Sequence, residues 1–469
     1  MSDETASRVA AIRDVDPAWL SVPAGVLTAG AVLRFAPLGT GAARMLAISL
    51  FCIALWVGTP VKPWFTALVG IGLIGVTFSA DLALTGFQSP ATWLVVVGIL
   101  IGEAARQSGL ADLIERVALH RMPGAVATDA VAAYRYLLVT LSFGSLVLAV
   151  LVPSSLVRVL ILAPILQSLG GLFQERRAKI GIFLGPLFAT FYGSSGILTG
   201  SLANIIVTGL VESSGGPAIT WTEWTLWLGP VMGIGRVALI VGIAYFVYRP
   251  HNPDGVNTPE RDGALSTTSR ERRMLVFLLL GVAIWATDFV HGLHPLFGAI
   301  VVALLAFAPQ IGVVGPDAVG EADFSILFFL GAIFAIAEGL RQTAFTDLAA
   351  NRLLSTLPAD PSLSLVLGVV VVSALALTLV MEGLAVASVL TPVLVSFATS
   401  AGIPLVPVAM IEAVALNAYF FPYQSAVLVA ILGLDVVDSI ELTKMASLCS
   451  LATLLLLVPI QIGLFVLFF

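Results

Sequence analysis

Two ionisable side chains, Arg158 and Glu382, lie inside otherwise apolar stretches of the chain. A charge at the centre of a membrane helix costs at least about 2.5 to 3.5 kcal/mol, so such a residue comes with a partner or a task. A guanidinium presents a two-pronged set of donors matched to carboxylates and other oxyanions. A desolvated glutamate can hold a proton or act as a counter-charge. The expected chemistry is therefore recognition of an anion by Arg158, with Glu382 as the proton-binding or counter-charge group. Two plainer readings stay open: the two residues pair with each other, or Arg158 snorkels to the surface. Glu412, in the helix ahead of Asn417, is a further candidate for a protonatable group.

Small polar residues cluster on one span, which runs Gly185-Pro186 through Tyr192-Gly193-Ser194-Ser195-Gly196 and Thr199-Gly200-Ser201 to Asn204. This much Gly, Ser and Thr implies an interrupted helix. Unwinding exposes carbonyls to a cation, and the next half-helix offers its first N–H groups to an anion. The alternative is close helix packing through small residues. His120, His251, His291 and His294 fall in loops or at helix ends, so no metal site is expected. No nucleophile–base arrangement or phosphate loop points to an enzyme.

The elements that must position these residues are set by composition. With 59% hydrophobic and 11% charged residues and a mean hydropathy of +1.05, the chain needs the bilayer as its solvent. The expected fold is an all-α polytopic membrane protein of about eleven transmembrane helices plus two re-entrant helical hairpins, in two inverted-topology repeats. Residues 1–18 read as a cytoplasmic tail, 19–248 as an extra first helix with the amino-terminal repeat, 249–273 as a cytoplasmic linker and 274–469 as the second repeat. The hairpins are expected at about 137–170 and 363–400, broken at Val152-Pro153-Ser154-Ser155 and Met381-Glu382-Gly383. The interrupted helix is expected at about 181–210, and 403–432 reads as a further apolar span.

Duplication is written in two blocks, Glu103-Ala-Ala-Arg106-Gln107 with Asp112, and Glu338-Gly-Leu-Arg341-Gln342 with Asp347. Glu and Arg three apart can pair on a helix, so these blocks are expected to brace span ends. With the amino terminus inside, only Arg34, Arg44, Arg341 and Arg352 of the 22 Lys and Arg residues fall outside, while Arg158 and Arg236 lie at membrane depth. The expected location is the cytoplasmic (inner) membrane. Cys52 and Cys449 read as buried thiols, and Trp19, Trp56, Trp64, Trp221 and Trp224 as interfacial anchors. No basic cluster with interleaved aromatics suggests nucleic acid.

On these features, and on Gly200-Ser201-Leu-Ala-Asn204, the chain resembles the divalent anion:sodium symporter family. The resemblance covers nearly the whole length and implies a second interrupted helix within about 403–432, at Phe421-Pro422-Tyr423-Gln424-Ser425. It implies secondary transport of carboxylates or sulfate by an elevator-type mechanism, coupled to Na+ or H+, in a homodimer. With Arg158 and Glu382 taken from the charge argument above, the substrate contacts the resemblance points to are Ser154, Ser155, Ser194, Ser195, Gly200, Ser201, Asn204, Gly383, Gln424 and Ser425, with a candidate sodium site at Ser154, Ser155, Gly196 and Asn204. The family's hairpin tips read Ser-Asn-Thr; here those positions are Ser154-Ser155-Leu156 and Glu382-Gly383-Leu384. This departure favours a proton-coupled or exchange-type carrier, and a membrane sensor that keeps the fold without transport is the rival from another class. The moving body is expected to contain the fourth and ninth spans, both hairpins and both interrupted helices.

Overall fold

In lipid every backbone polar group must be satisfied within its own segment, and a chain this apolar therefore folds into helices. The computed structural model describes residues 17–58, 61–124, 126–252, 256–257, 267–358, 361–380 and 382–469. The tail up to residue 16, most of the linker between 253 and 266, and Met381 lie outside the described residues. Among the described residues there is no strand, only one isolated bridge between Phe173 and Val256.

The first half builds α1 (Ser21–Phe35), α2 (Thr40–Gly58), α3 (Pro63–Thr77), α4 (Pro90–Gln107) and α5 (Leu110–His120). These are followed by α6 (Ala130–Leu151), α7 (Ser155–Gly170), α8 (Arg176–Tyr192), α9 (Leu202–Ser213) and α10 (Trp221–Tyr248). The second half repeats the order from α2 onward as α11 (Ser269–Ala286), α12 (Pro295–Phe307), α13 (Ile326–Gln342), α14 (Phe345–Leu354), α15 (Leu363–Thr378), α16 (Gly383–Ala401), α17 (Leu405–Leu416), α18 (Ala426–Leu432) and α19 (Ser439–Phe468). The helix α1 has no counterpart.

The expected count of crossings is only partly visible as single long helices. Ala130–Leu151, Trp221–Tyr248, Gly383–Ala401 and Ser439–Phe468 are long and apolar enough to cross alone, and two bent pairs bring the number to 6. The rest of the apolar helices are 10–17 residues long. Interrupting a span at a site shortens its pieces, as α8, α9, α17 and α18 show.

The two helices that carry the duplicated block, α4 and α13, are antiparallel. At the end of α4, Gln107 Nε2 donates to Glu321 Oε2 at 3.0 Å, just ahead of α13. At the start of α4, a Cβ built on Gly209 would touch both Ala91 and Phe334, so Ala91 lies level with the middle of α13. The two helices therefore run in opposite directions. In each hairpin the far end comes back beside the helix that precedes it. Ser168, in the last turn of α7, donates to Glu115 of α5 at 2.9 Å, and Ser396 of α16 donates to Asp347 of α14 at 2.7 Å.

The duplicated clamp is repeated atom for atom. Arg106 Nε and Nη2 reach Glu103 at 2.9 and 2.5 Å and Gln107 joins at 2.7 Å; Arg341 and Gln342 make the same three bonds to Glu338 at 2.8, 2.7 and 2.8 Å. Pairs three and four apart face each other on a helix, which is why one short sequence reproduces one geometry on both faces.

Candidate functional site

The first elbow, Val152 to Ser154, joins α6 to α7 in extended backbone. Ser154 caps α7, accepting from Val157 N at 3.4 Å, and Ser155 Oγ donates to Gly200 O at 3.2 Å. Arg158 is fully buried one turn on. Its Nε donates to Thr190 Oγ1 at 2.9 Å, Nη1 to Val152 O at 2.6 Å, and Nη2 to Ser155 Oγ, Thr190 O and Gly200 O at 3.0, 3.0 and 2.8 Å. It makes no ion pair with Glu382 and does not snorkel. The guanidinium fastens the elbow to both sides of the interrupted helix.

That interruption runs through two short 3-10 turns, Gly193–Gly196 and Leu198–Gly200, between α8 and α9. Asn204, in the first turn of α9, folds back and donates from Nδ2 to the carbonyls of Ser194, Ser195 and Ile197 at 3.4, 3.2 and 2.9 Å. Its Oδ1 is buried without a partner. The hydroxyls of Ser194 and Ser195 are returned to Phe191 O and Tyr192 O at 2.6 and 2.8 Å. Gly196 serves close packing: a Cβ there would come within 2.5 Å of Gly233 N in α10. Both readings of the small-residue run thus hold, at different residues.

Two tryptophans expected at the interface are instead inside. Trp221 Nε1 donates to Thr199 Oγ1 at 3.0 Å, and Trp224 Nε1 to Ser195 O at 3.1 Å. A buried indole needs an acceptor, and the unwound backbone provides one. The helix α10 is therefore fastened to the interruption and belongs with the site, beyond the set of moving elements expected from sequence.

The second interruption mirrors the first. Between α17 and α18, Gln424 Oε1 accepts from Phe420 N and Phe421 N at 2.7 and 2.8 Å, while its Nε2 donates to Thr378 O of α15 at 2.7 Å. Ser425 caps α18, accepting from Val427 N at 3.2 Å, and Glu382 caps α16, accepting from Leu384 N at 3.1 Å. Gly383 is pressed against the end of α17, where a Cβ would lie 2.9 Å from Leu416 O.

The halves meet through Ser201 and Asn417. Ser201 Oγ donates to Asn417 Oδ1 at 3.1 Å, and Tyr192 Oη donates to Tyr419 O at 3.1 Å. Arg236 of α10, fully buried, donates to Ser195 Oγ and Asn417 O at 3.0 Å each, to Tyr192 O at 3.3 Å and to Thr453 Oγ1 of α19 at 3.2 Å. It also lies over the Tyr192 ring, 4.8 Å from the centroid. Ser450 of α19 adds a bond to Tyr419 O at 2.6 Å.

Of the twelve sequence-derived substrate positions, Ser155, Arg158 and Gly200 are joined by hydrogen bonds, Asn204 bonds the carbonyls of Ser194 and Ser195, and Ser201 reaches the second half at Asn417, while Glu382 and Ser425 bond the amides of their own helices. The candidate sodium ligands are divided. Ser155 meets Gly200 and Arg158, whereas Gly196 faces Gly233 and Asn204 lies across the carbonyls of 194–197. Sequence reasoning left out Thr190, Tyr192, Arg236, Asn417 and Tyr419. A buried Arg on an otherwise apolar span was the one available signal, at Arg236. Glu412 is fully buried, accepts from Thr391 Oγ1 at 2.8 Å and leaves Oε2 unpartnered. A cavity of about 130 Å3 runs beside α9 from Glu212 and His294 to Leu198 at the interruption. Among the described residues no group of His, Cys, Asp and Glu could hold a metal ion.

Paired helical elbows and paired interrupted helices make this a polytopic all-α membrane protein. The chain belongs to the family described as the sodium:sulfate symporter transmembrane region, whose model matches residues 26–467, and it is an anion transporter. It is similar to the L-tartrate/succinate antiporter of Escherichia coli O6:K15:H31 (strain 536 / UPEC), 24% identical over 469 positions that cover 94% of this chain and 91% of the relative. The antiporter of Escherichia coli strain K12 gives the same identity and coverage. In fold it is similar to the YdaH transporter of Alcanivorax borkumensis, with a TM-score of 0.57 at 15% identity over 92% of this chain and 99% of that one.

Proposed function

We propose that this chain is a secondary transporter of small dicarboxylates, which bind at the junction of the two elbows and two interruptions and are exposed alternately to either face. The observation that carries this reading is the amino end of α9. The helices α7, α16 and α18 are capped by their own Ser154, Glu382 and Ser425, but α9 has no side-chain cap. Ser201 turns its hydroxyl to Asn417 instead, which leaves the positive end of a 12-residue helix bare at the meeting point of the halves. Bare helix amino ends bind anions. The Ser155 hydroxyl lies at the same junction, on Gly200 O at 3.2 Å.

The substrate class follows the relatives, whose name specifies tartrate and succinate. For movement, we infer an elevator-type displacement of the interrupted helices together with both hairpins, α10 and α19. Support comes from the buried bonds of Trp221, Trp224, Arg236 and Ser450, which would have to break if those two helices stayed behind. For orientation, we infer that the face carrying Arg116, Arg176 and the linker arginines is cytoplasmic. Its loops are joined by Arg116 to Glu271 at 2.7 Å and by an Arg176 to Glu441 pair, and basic loops stay inside. The test is uptake of labelled succinate, tartrate and sulfate by proteoliposomes containing the purified protein. Saturable succinate uptake that tartrate inhibits supports the reading, and selective uptake of sulfate would replace the substrate class.

A further inference from the structure

The helix α1 has no counterpart in the second half, and Gly25 is the one residue it buries. Residues 36–39 turn it back against α2, where a Cβ on Gly25 would meet Ala54 and Phe51 at 3.1 Å each, so Leu33 and Arg34 come level with Arg44. The helix α3 runs opposite to α2 in turn: a Cβ on Gly70 would meet Cys52 Sγ at 2.8 Å, which brings Thr77 to the level of Arg44 as well. Between the three helices lies an open groove of about 490 Å3. Val26, Leu33, Phe51 and Leu73 line it, and Gly30 and Ala47 are too small to fill it. From Val26 to Leu33 the groove follows about 10 Å of helix, against about 15 Å for the hydrocarbon of one leaflet.

One end of this groove is basic. Arg44, near the start of α2, lines it, and Arg34, in the last turn of α1, is exposed at the same level. Among the described residues neither guanidinium forms an ion pair. Basic residues are scarce on this face. A Cβ on Gly41 would lie 3.4 Å from Thr343 Cγ2, so the α1–α2 turn sits at the end of α13 away from Glu321. Of the 22 Lys and Arg residues, the sequence reading puts only Arg34, Arg44, Arg341 and Arg352 there, and Arg341 is held by Glu338 at 2.7 Å. A second copy docked on the groove about an axis along the membrane normal would set these arginines against the same arginines at the same depth, and like charges so placed repel. An amphiphile with an apolar tail and an anionic head matches both ends. We propose that the groove binds one anionic glycerophospholipid, with an acyl chain laid between α1, α2 and α3 and its phosphate held by Arg34 and Arg44. A guanidinium takes two phosphate oxygens at once, and basic pockets beside transmembrane helices select anionic headgroups. The lipid fills the space left by the unmatched first helix and fastens that helix to the bundle. Its site is separate from the junction of elbows and interruptions and does not depend on which anion is carried.

The experiment is native mass spectrometry of the purified protein with equimolar dioleoylphosphatidylglycerol and dioleoylphosphatidylcholine, whose tails are identical. One phosphatidylglycerol per chain is expected to be retained in preference to phosphatidylcholine. Arg34→Gln and Arg44→Gln are each expected to lower that preference about fivefold. Gly30→Leu, which keeps both arginines and fills the groove, is expected to lose the retained lipid. Thermal unfolding in detergent gives a second readout. Phosphatidylglycerol is expected to raise the transition of the unmodified protein but not that of Gly30→Leu or of the double glutamine variant. Glycerophosphate, a head without a tail, is expected to raise none of them. Both arginines are exposed, so without added lipid the glutamine variants are expected to melt as the unmodified protein does. Equal retention of the two lipids overturns the proposal, as does a preference that survives the double glutamine variant, or glycerophosphate stabilising as much as the lipid. A Gly30→Cys protein that crosslinks into dimers in the membrane would give the groove to a second copy and overturn it too.

Discussion

Arg236 Nη2 donates to the main-chain carbonyl of Asn417 at 3.0 Å, and the same guanidinium donates to Ser195 Oγ at 3.0 Å. One side chain of α10 thereby joins the interrupted helices of both halves. Unwound backbone at membrane depth is stable only if protein or water satisfies it, and here a protein donor does so from a neighbouring span.

Removing that donor should be costly. Arg236→Met takes the donor from Asn417 O, while Tyr192 O keeps Ser195 Oγ and the Ser195 and Thr453 hydroxyls keep their own acceptors, so the cost is about 1 to 3 kcal/mol for the one carbonyl left unsatisfied. We expect a net loss of about 1 to 3 kcal/mol, read as an earlier thermal unfolding transition in detergent. Arg236→Lys should recover only part of it, since an ammonium lacks the planar fork that spans the two interruptions. A melting transition unchanged in Arg236→Met would show that the network does not hold the site together.

Ser201 and Asn417 should act as one unit. Ser201→Ala and Asn417→Ala each remove one end of the 3.1 Å bond beside the bare amino end of α9. Each is expected to weaken succinate binding by about fivefold, and a double-mutant cycle should give a coupling of about 0.5 to 1.5 kcal/mol. Strict additivity would separate the two residues.

The second elbow has no room to spare. Gly383→Val should abolish transport because a Cβ already comes within 2.9 Å of Leu416 O, whereas Gly30→Ala on α1, with nothing within 4 Å, should be silent. Uptake at matched protein levels distinguishes the two. Normal flux in Gly383→Val would mean that the elbow is not tightly seated.

Away from the membrane, Glu175 holds the start of the linker. Its carboxylate accepts from Asn252 N at 2.7 Å and His251 N at 2.8 Å, and these bonds keep the carboxyl below its usual range. A lowered carboxyl contributes stability above its unfolded value, about 4.3, and loses it as pH falls through the lower folded value. Hydrogen exchange at the His251 and Asn252 amides should therefore be slow at neutral pH and lose its protection only in acid. Glu175→Gln should weaken that protection already at neutral pH, and equal protection in both proteins would contradict the clasp.

The breaks in this fold were legible because Pro153-Ser154, Gly193 to Gly200 and Pro422 to Ser425 punctuate apolar runs with residues that end helices. The Glu103/Arg106 and Glu338/Arg341 clamps were legible because helical spacing alone makes them. The role of Arg158 was not. Its partners at 190 and 200 are mostly backbone carbonyls, which every residue has and no sequence marks. Trp221 and Trp224 were misread for a related reason: nearness to a span end is visible in sequence, but the side of the helix that meets an unwound loop is not. The number of crossings blurred because a span interrupted at its site breaks into pieces too short to be recognised by length.

The account stands on anion flux through the join of the two halves, and counterflow measures it directly. Proteoliposomes loaded with unlabelled succinate are expected to take up labelled succinate far faster than empty ones, and Ser201→Ala should slow that uptake without unfolding the protein. Folded, membrane-inserted protein that moves no dicarboxylate, whatever is loaded inside, would contradict it.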